Sequence, residues 1–148
     1  MRAVVQRVTS SSVEANGETN GIGGGLNILL GIKKGDTIED ARYIAEKAAG
    51  LRIFPDEYGK MNLSADNRKH EILLISQFTL YGDARNGRRP SFVEAAEYEE
   101  GRHLYEAVRD MFIEMGFPTK TGFYGAEMKV TIVNDGPVTI LLDSAKVF

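Results

Sequence analysis

The sequence predicts one α+β domain over residues 1–148: an antiparallel-rich sheet curled into a partial barrel, with two main helices packed on one side. Three observations lead there. Short apolar or alternating runs outnumber helical patterns. Two segments carry apolar residues at intervals of three and four, the spacing of a helix face. The last third reads as β, so the two helices must cover a sheet. A chain of 148 residues can bury roughly 68–70% of its unfolded surface, enough for a core without staples.

Ala3-Val4-Val5 with Val8 reads as a first strand and Ser12-Val13-Glu14-Ala15 as a second, followed by a turn signal at Asn16-Gly17. Gly21-Ile22-Gly23-Gly24-Gly25 lacks the Gly-Lys-Ser/Thr ending of a phosphate loop and runs into an apolar strand from Leu26 to Ile32, so these glycines mark a hairpin turn or bulge. Asp36 or Thr37 caps the first helix, whose opening acids Glu39 and Asp40 suit the helix dipole. Ile38, Ala41, Ile44, Ala45, Ala48 and Leu51 form its apolar stripe. Residues 55–60 read as a loop and 66–69 as a solvated charged turn, with His70 exposed beside it. Ile72-Leu73-Leu74-Ile75 is long enough for a buried strand and too short for a helix. The second helix spans about 98–115, with Leu104, Ala107, Val108, Met111, Phe112 and Met115 inward and His103 off the stripe. Gly116 and Pro118 stop it. Met128, Val130 and Ile132 alternate with Lys129 and Thr131 in one strand, and residues 138–142 form another; Asn134-Asp135-Gly136-Pro137 lies between them.

Composition removes several chemistries. There is no Cys, hence no disulfide, thiolate nucleophile or Cys-ligated zinc, and the two His lack metal-ligand spacing. No cofactor and no metal are expected. The opening Met1-Arg2-Ala3-Val4-Val5-Gln6-Arg7-Val8 is interrupted by polar residues and does not read as a signal peptide, and no run approaches the ~18 apolar residues of a membrane span. The expected location is therefore cytoplasmic, with no membrane partner. A net charge of −3 argues against a general nucleic-acid coat, and no DNA partner is expected. It leaves room for one local basic patch. Gly82-Asp83-Ala84-Arg85-Asn86-Gly87-Arg88-Arg89-Pro90 is that patch, able to place guanidinium groups beside a phosphate.

The chemistry points to the end of the apolar run. Ser76, Gln77 and Thr79 put hydroxyl and amide groups into what reads as continuing strand. A buried polar group without a partner costs about 1–3 kcal/mol, so these side chains pair with one another or turn toward a ligand. The Gly-x-Ser-x-Gly elbow of a serine hydrolase is absent, as is a dinucleotide fingerprint. Such a chain either binds something or uses backbone amides as an oxyanion hole while the substrate supplies the reactive group.

Ser76-Gln77-Phe78-Thr79-Leu80 together with Asn134-Asp135-Gly136-Pro137-Val138-Thr139 resembles the D-aminoacyl-tRNA deacylase family. Residues 1–8 and Gly122-Phe123-Tyr124-Gly125-Ala126-Glu127-Met128 are also similar to it, so the resemblance runs the length of the chain in order. It implies a homodimer that hydrolyses the ester between a D-amino acid, or glycine, and the 3′-terminal adenosine of tRNA. It further implies a cis Gly136-Pro137 bond on a loop that enters the partner's site and rejects L-amino acids with its carbonyls. Ser76, Gln77, Phe78 and Thr79 become catalytic positions, Ala126 and Met128 join Gly136 and Pro137 at the substrate, and Arg7 supports the loop. Other readings stay open: a non-catalytic RNA-binding module, a small-ester hydrolase with Thr79 as nucleophile, or a structural dimer in which Gly136-Pro137 is only a turn.

Overall fold

The computed structural model describes residues 1–148. Its spine is β1 (Arg2–Ala15), one continuous strand where two were expected. Thr9, Ser10 and Ser11 look like a break in sequence, but Ser11 Oγ lies 3.0 Å from both Asn27 Oδ1 and the Thr131 carbonyl. The polar stretch is thus satisfied inside the sheet. Asn16 and Gly17, at φ 54° and 79°, turn the chain into β2 (Glu18–Ile22), and the glycine-rich segment leads directly into β3 (Gly25–Gly31). Both strands pair antiparallel with the same edge of β1, β3 near its start and β2 near its end.

The first helix, α1 (Ile38–Gly50), opens with Thr37 N–H donating to the Asp40 carboxylate at 2.8 Å. Ala41, Ile44, Ala45 and Ala48 are buried as expected, while Ile38 lies exposed at the start of the helix. The following loop contains a small hairpin of β4 (Phe54–Pro55) and β5 (Met61–Leu63). His70 is half-buried, not exposed: its ring stacks on Phe54 with centroids 4.0 Å apart, and Nδ1 accepts the Asp66 N–H at 2.9 Å. The charged turn curls back to cap this imidazole.

β6 (Glu71–Ser76) runs parallel to β3, from Gly25↔Glu71 to Leu30↔Ser76. Its apolar run is covered on both faces. Ile72 and Leu74 pack with the helices, whereas Leu73 and Ile75 join Val8, Val13 and Ile22 on the opposite face of the sheet. Expectation and structure differ just beyond: the strand ends at Ser76, and Phe78–Tyr81 forms a single 3₁₀ turn. α2 (Tyr98–Glu114) then packs Leu104, Tyr105, Val108 and Phe112 inward, His103 stays exposed, and β7 (Thr119–Thr121) lies parallel to β6.

β8 (Lys129–Asp143) closes the chain as one long strand along the other edge of β1. The expected turn at 134–137 is a bulge within it: pairing passes from Val8↔Asn134 to Gln6↔Thr139 with a register shift. The sheet is therefore mixed, antiparallel around β1 and parallel from β3 through β6 to β7. It curls until its far strands meet, where Asn20 Nδ2 of β2 donates to the Thr121 carbonyl of β7 at 2.8 Å. No helix is long and apolar enough to cross a membrane.

Candidate active site

The last bond of the parallel ladder runs from Gln77 N–H to the Leu30 carbonyl, at 2.7 Å. The chain then tightens: Leu80 N–H reaches the Gln77 carbonyl at 3.2 Å and Gly82 N–H the Thr79 carbonyl at 2.9 Å. In such a turn the leading amides precede the first internal donor and have no acceptor inside it. Those amides belong to Phe78 and Thr79, with Gln77 as the capping residue. The turn can sit this close to β3 because Gly31 faces it. A Cβ there would lie 2.9 Å from Leu80 Cβ and 3.0 Å from the Gln77 carbonyl oxygen.

Side chains complete the arrangement. Gln77 Nε2 donates to Thr79 Oγ1, and an amide cannot remove a proton from that hydroxyl. Ser76, Gln77 and Phe78 line a cleft of about 270 Å³ whose other wall includes Tyr98, Tyr124 and Gly125. The Tyr124 hydroxyl donates to the Tyr98 carbonyl at 3.3 Å, and burial pushes its pKa up, keeping the phenol neutral. Phe78 is 57% exposed and meets Phe92 edge-on at 5.2 Å, so it is no core aromatic. No group of three or more His, Cys, Asp and Glu residues is placed to hold a metal ion.

Residues 4–143 match the sequence profile of D-Tyr-tRNA(Tyr) deacylase. The chain belongs to that deacylase family. It is 58% identical to the D-aminoacyl-tRNA deacylase of Clostridium botulinum (strain Eklund 17B / Type B), with all of both chains covered. Identity to the corresponding protein of Geobacter sulfurreducens is 54%, over 97% of this chain and 95% of the other. Among solved structures, the c-Myc DNA unwinding element binding protein superposes with a TM-score of 0.89 at 40% identity, covering 97% of this chain and 98% of that one. A probable eukaryotic D-amino acid tRNA deacylase shares the fold with a TM-score of 0.76 at 15% identity, over 95% and 97% of the two chains.

The second motif of this deacylase-family chain lies elsewhere on the sheet. The Gly136-Pro137 bond is cis. Arg7, largely buried, donates from Nε to the Asp135 carbonyl at 3.1 Å and from Nη1 to the Ile53 carbonyl, so it is not an ordinary edge-strand charge. Gly136 takes φ 131°, and a Cβ there would stand 2.9 Å from Val138 N, conditions that only glycine meets. Through the strand register Arg7 aligns with Leu26 and Leu26 with Ile72, whereas the turn follows Ser76. Four residues along and three strands across separate the motifs within one chain by roughly 20 Å.

Ala126 sits in the turn after β7, beside the lining residues Tyr124 and Gly125, and its N–H reaches the Phe123 carbonyl at 3.0 Å. Met128 Sδ accepts the Phe123 N–H at 3.3 Å and, partly buried, packs against the core group of Val8, Val13, Ile22, Leu73 and Ile75, so it fixes that turn from behind. Sequence reasoning missed Tyr98, Tyr124 and above all Arg2. The Arg2 guanidinium donates to the Leu80 carbonyl at 3.1 Å, pairs with Asp143 at 2.9 Å and lies 4.7 Å from the Tyr81 ring centroid. Contacts of such long sequence separation leave no local spacing signal.

Proposed function

We propose that the chain hydrolyses the ester joining a D-amino acid, or glycine, to the 3′-terminal adenosine of tRNA, releasing free tRNA and the amino acid. Family membership supports D-aminoacyl-tRNA hydrolysis. One observation supports the mechanism: a 3₁₀ turn whose leading amides have no acceptor within it begins at Phe78, which lines a 270 Å³ cleft, and Thr79 Oγ1 meets an amide instead of a base.

The N–H groups of Phe78 and Thr79 stabilise the oxyanion that forms when water attacks the ester carbonyl. One such donor contributes roughly 10²–10³ in rate. The ribose 2′-hydroxyl, next to the scissile ester, helps activate the water. The acyl C–O bond then breaks and the 3′-oxygen leaves with a proton. Ser76 and Gln77 orient the adenosine. The chemistry asks for no metal and no cofactor. Thr79 as nucleophile is the weaker reading, because a threonine hydroxyl needs an adjacent base.

Handedness comes from main chain. Carbonyls around Gly136 and Pro137 receive the substrate's ammonium group and leave no room for an L side chain. Forcing an extra carbon into a packed site costs roughly 1–3 kcal/mol, and a peptide loop yields less than a side chain. Glycine has no Cβ to reject, so glycyl-tRNA is also a substrate. Because the two motifs lie far apart in one chain, a second copy supplies the loop, and the working form is a homodimer with sites at the subunit interface. In support, β8 has one unpaired edge, and Val133 and Leu141 on it are 48% and 57% exposed. Ala126 and Met128 shape the wall that faces the amino acid. The reaction belongs in the cytoplasm, with tRNA and no DNA or membrane as partner.

Purified protein given D-tyrosyl-tRNA, glycyl-tRNA, L-tyrosyl-tRNA and a D-tyrosyl-tRNA ending in 2′-deoxyadenosine tests this. The first two are cleaved, the third is spared, and the fourth reacts much more slowly. Efficient removal of L-tyrosine would end the proposal. Cleavage of D-tyrosyl-tRNA with glycyl-tRNA untouched would end the steric account.

A further inference from the structure

We propose that the hairpin over residues 82–91 is a docking surface for the phosphate backbone of the tRNA 3′ strand, with Arg88 and Arg89 as its contacts; this rests on the deacylase reading above. Its placement is fixed. The hairpin leaves the 3₁₀ turn directly at Gly82 and is closed by reciprocal bonds between Asp83 and Ser91, both 2.8 Å. Phe92 at its foot packs against Phe78, so the hairpin holds a set offset from the cleft.

Charge then separates its arginines. Arg85 pairs with Asp83 at 2.6 Å, and this contact helps hold the Asp83 carboxyl down at about 2. Nearby, Lys33 pairs with Glu94 at 2.7 Å and Arg2 with Asp143 at 2.9 Å. The cavity of about 800 Å³ beside the hairpin, lined in part by Arg2, Lys33, Asp83, Arg85 and Glu94, is therefore charge-compensated and makes a poor anion site. Arg88 and Arg89 are exposed and take part in no ion pair or side-chain hydrogen bond. On a chain of net charge −3 they are a local exception.

Reach agrees with the assignment. Five residues from Gly82 to the tip at Gly87 span at most about 18 Å when extended. Stacked nucleotides advance about 3.4 Å each, so this length passes roughly four or five of them. Single-stranded RNA next to the esterified adenosine is what two free guanidinium groups at that distance would meet, and arginine suits phosphate oxygens in a bidentate manner.

The test compares wild type, the Arg88→Ala/Arg89→Ala double variant and the Arg88→Lys/Arg89→Lys double variant on D-tyrosyl-tRNA and on D-tyrosyl-adenosine, which has no phosphate. The alanine variant should lower the kcat/KM ratio of tRNA over adenosine substrate on the order of tenfold, through KM. Its log–log salt dependence on tRNA should flatten by about 1.4, or about 0.7 per lost phosphate contact. The lysine variant should recover most of the salt slope. An unchanged slope and KM, or equal losses on both substrates, would overturn the hairpin assignment and leave the deacylase reading standing. Wild type that cleaves neither substrate would overturn that reading and this one with it.

Discussion

The Arg2 guanidinium donates to the Leu80 carbonyl at 3.1 Å, joining the first strand of the chain to the turn that carries the candidate oxyanion donors. The same side chain meets Asp143, whose carboxylate is otherwise held by the Ala145 N–H at 2.7 Å, so the turn is braced by β1 and β8 together.

Arg2→Ala should therefore cost stability and turnover together. Hydrogen bonds to charged groups contribute about 1.5–3 kcal/mol, and a half-exposed guanidinium belongs at the lower end. Denaturant unfolding should register that loss. At saturating D-tyrosyl-tRNA, kcat should fall more than KM rises, because the proposed mechanism uses the turn's amides in the transition state. Arg2→Lys keeps the ion pair but lacks the second planar donor, so it should restore stability better than kcat. A wild-type kcat in Arg2→Ala would show that Leu80 needs no brace.

Gly31→Ala probes the same turn from the sheet side. The new methyl would press on Leu80 Cβ and the Gln77 carbonyl, and neither can swing away as a long side chain would. Overpacking of this kind costs about 1–3 kcal/mol. Activity should suffer beyond what the stability loss explains, since the displaced atoms position Phe78 and Thr79. Equal stability and full activity would mean that the turn tolerates displacement.

These two residues also mark the boundary of what the sequence reveals. Both helices, the buried β6 run and the bulk of the sheet follow from periodicity, because burial writes itself into spacing. The strand end at Ser76 does not: Phe78-Thr79-Leu80 contains no glycine or proline to announce a 3₁₀ turn, and β propensity alone favours extension. The polar break in β1 misleads for the opposite reason, since Ser11 is satisfied by Asn27 and Thr131 from other strands. The two short motifs were legible as a pair, but nothing local says that Arg2, Tyr98 and Tyr124 surround the first of them.

His70 gives the protein an acid-side weakness. Burial lowers its pKa from 6.5, against the opposing pull of Asp66, and Nδ1 must stay unprotonated to accept the Asp66 N–H. The folded state thus binds fewer protons than the unfolded one. The resulting stability is present above the ordinary histidine pKa and is lost as pH falls below it. Melting temperature should decline between neutral pH and about 5, and His70→Phe, which can keep the stack on Phe54, should flatten that decline at a fixed penalty. Identical slopes in both proteins would place the acid sensitivity elsewhere.

The roles of the Thr79 hydroxyl and the Thr79 amide can be separated chemically. The hydroxyl meets only the Gln77 side-chain amide, so Thr79→Ala should keep most of the turnover. Replacing Thr79 by its α-hydroxy acid through semisynthesis leaves the side chain and removes just the backbone N–H. If that N–H faces the oxyanion, the ester variant should lose roughly 10²–10³ in kcat with tRNA binding little changed. The opposite ranking, with Thr79→Ala inactive but folded and the ester variant near wild type, would make the hydroxyl the nucleophile and oblige a search for its base. Single-turnover measurements on D-tyrosyl-tRNA decide between the two, because they report the chemical step free of product release.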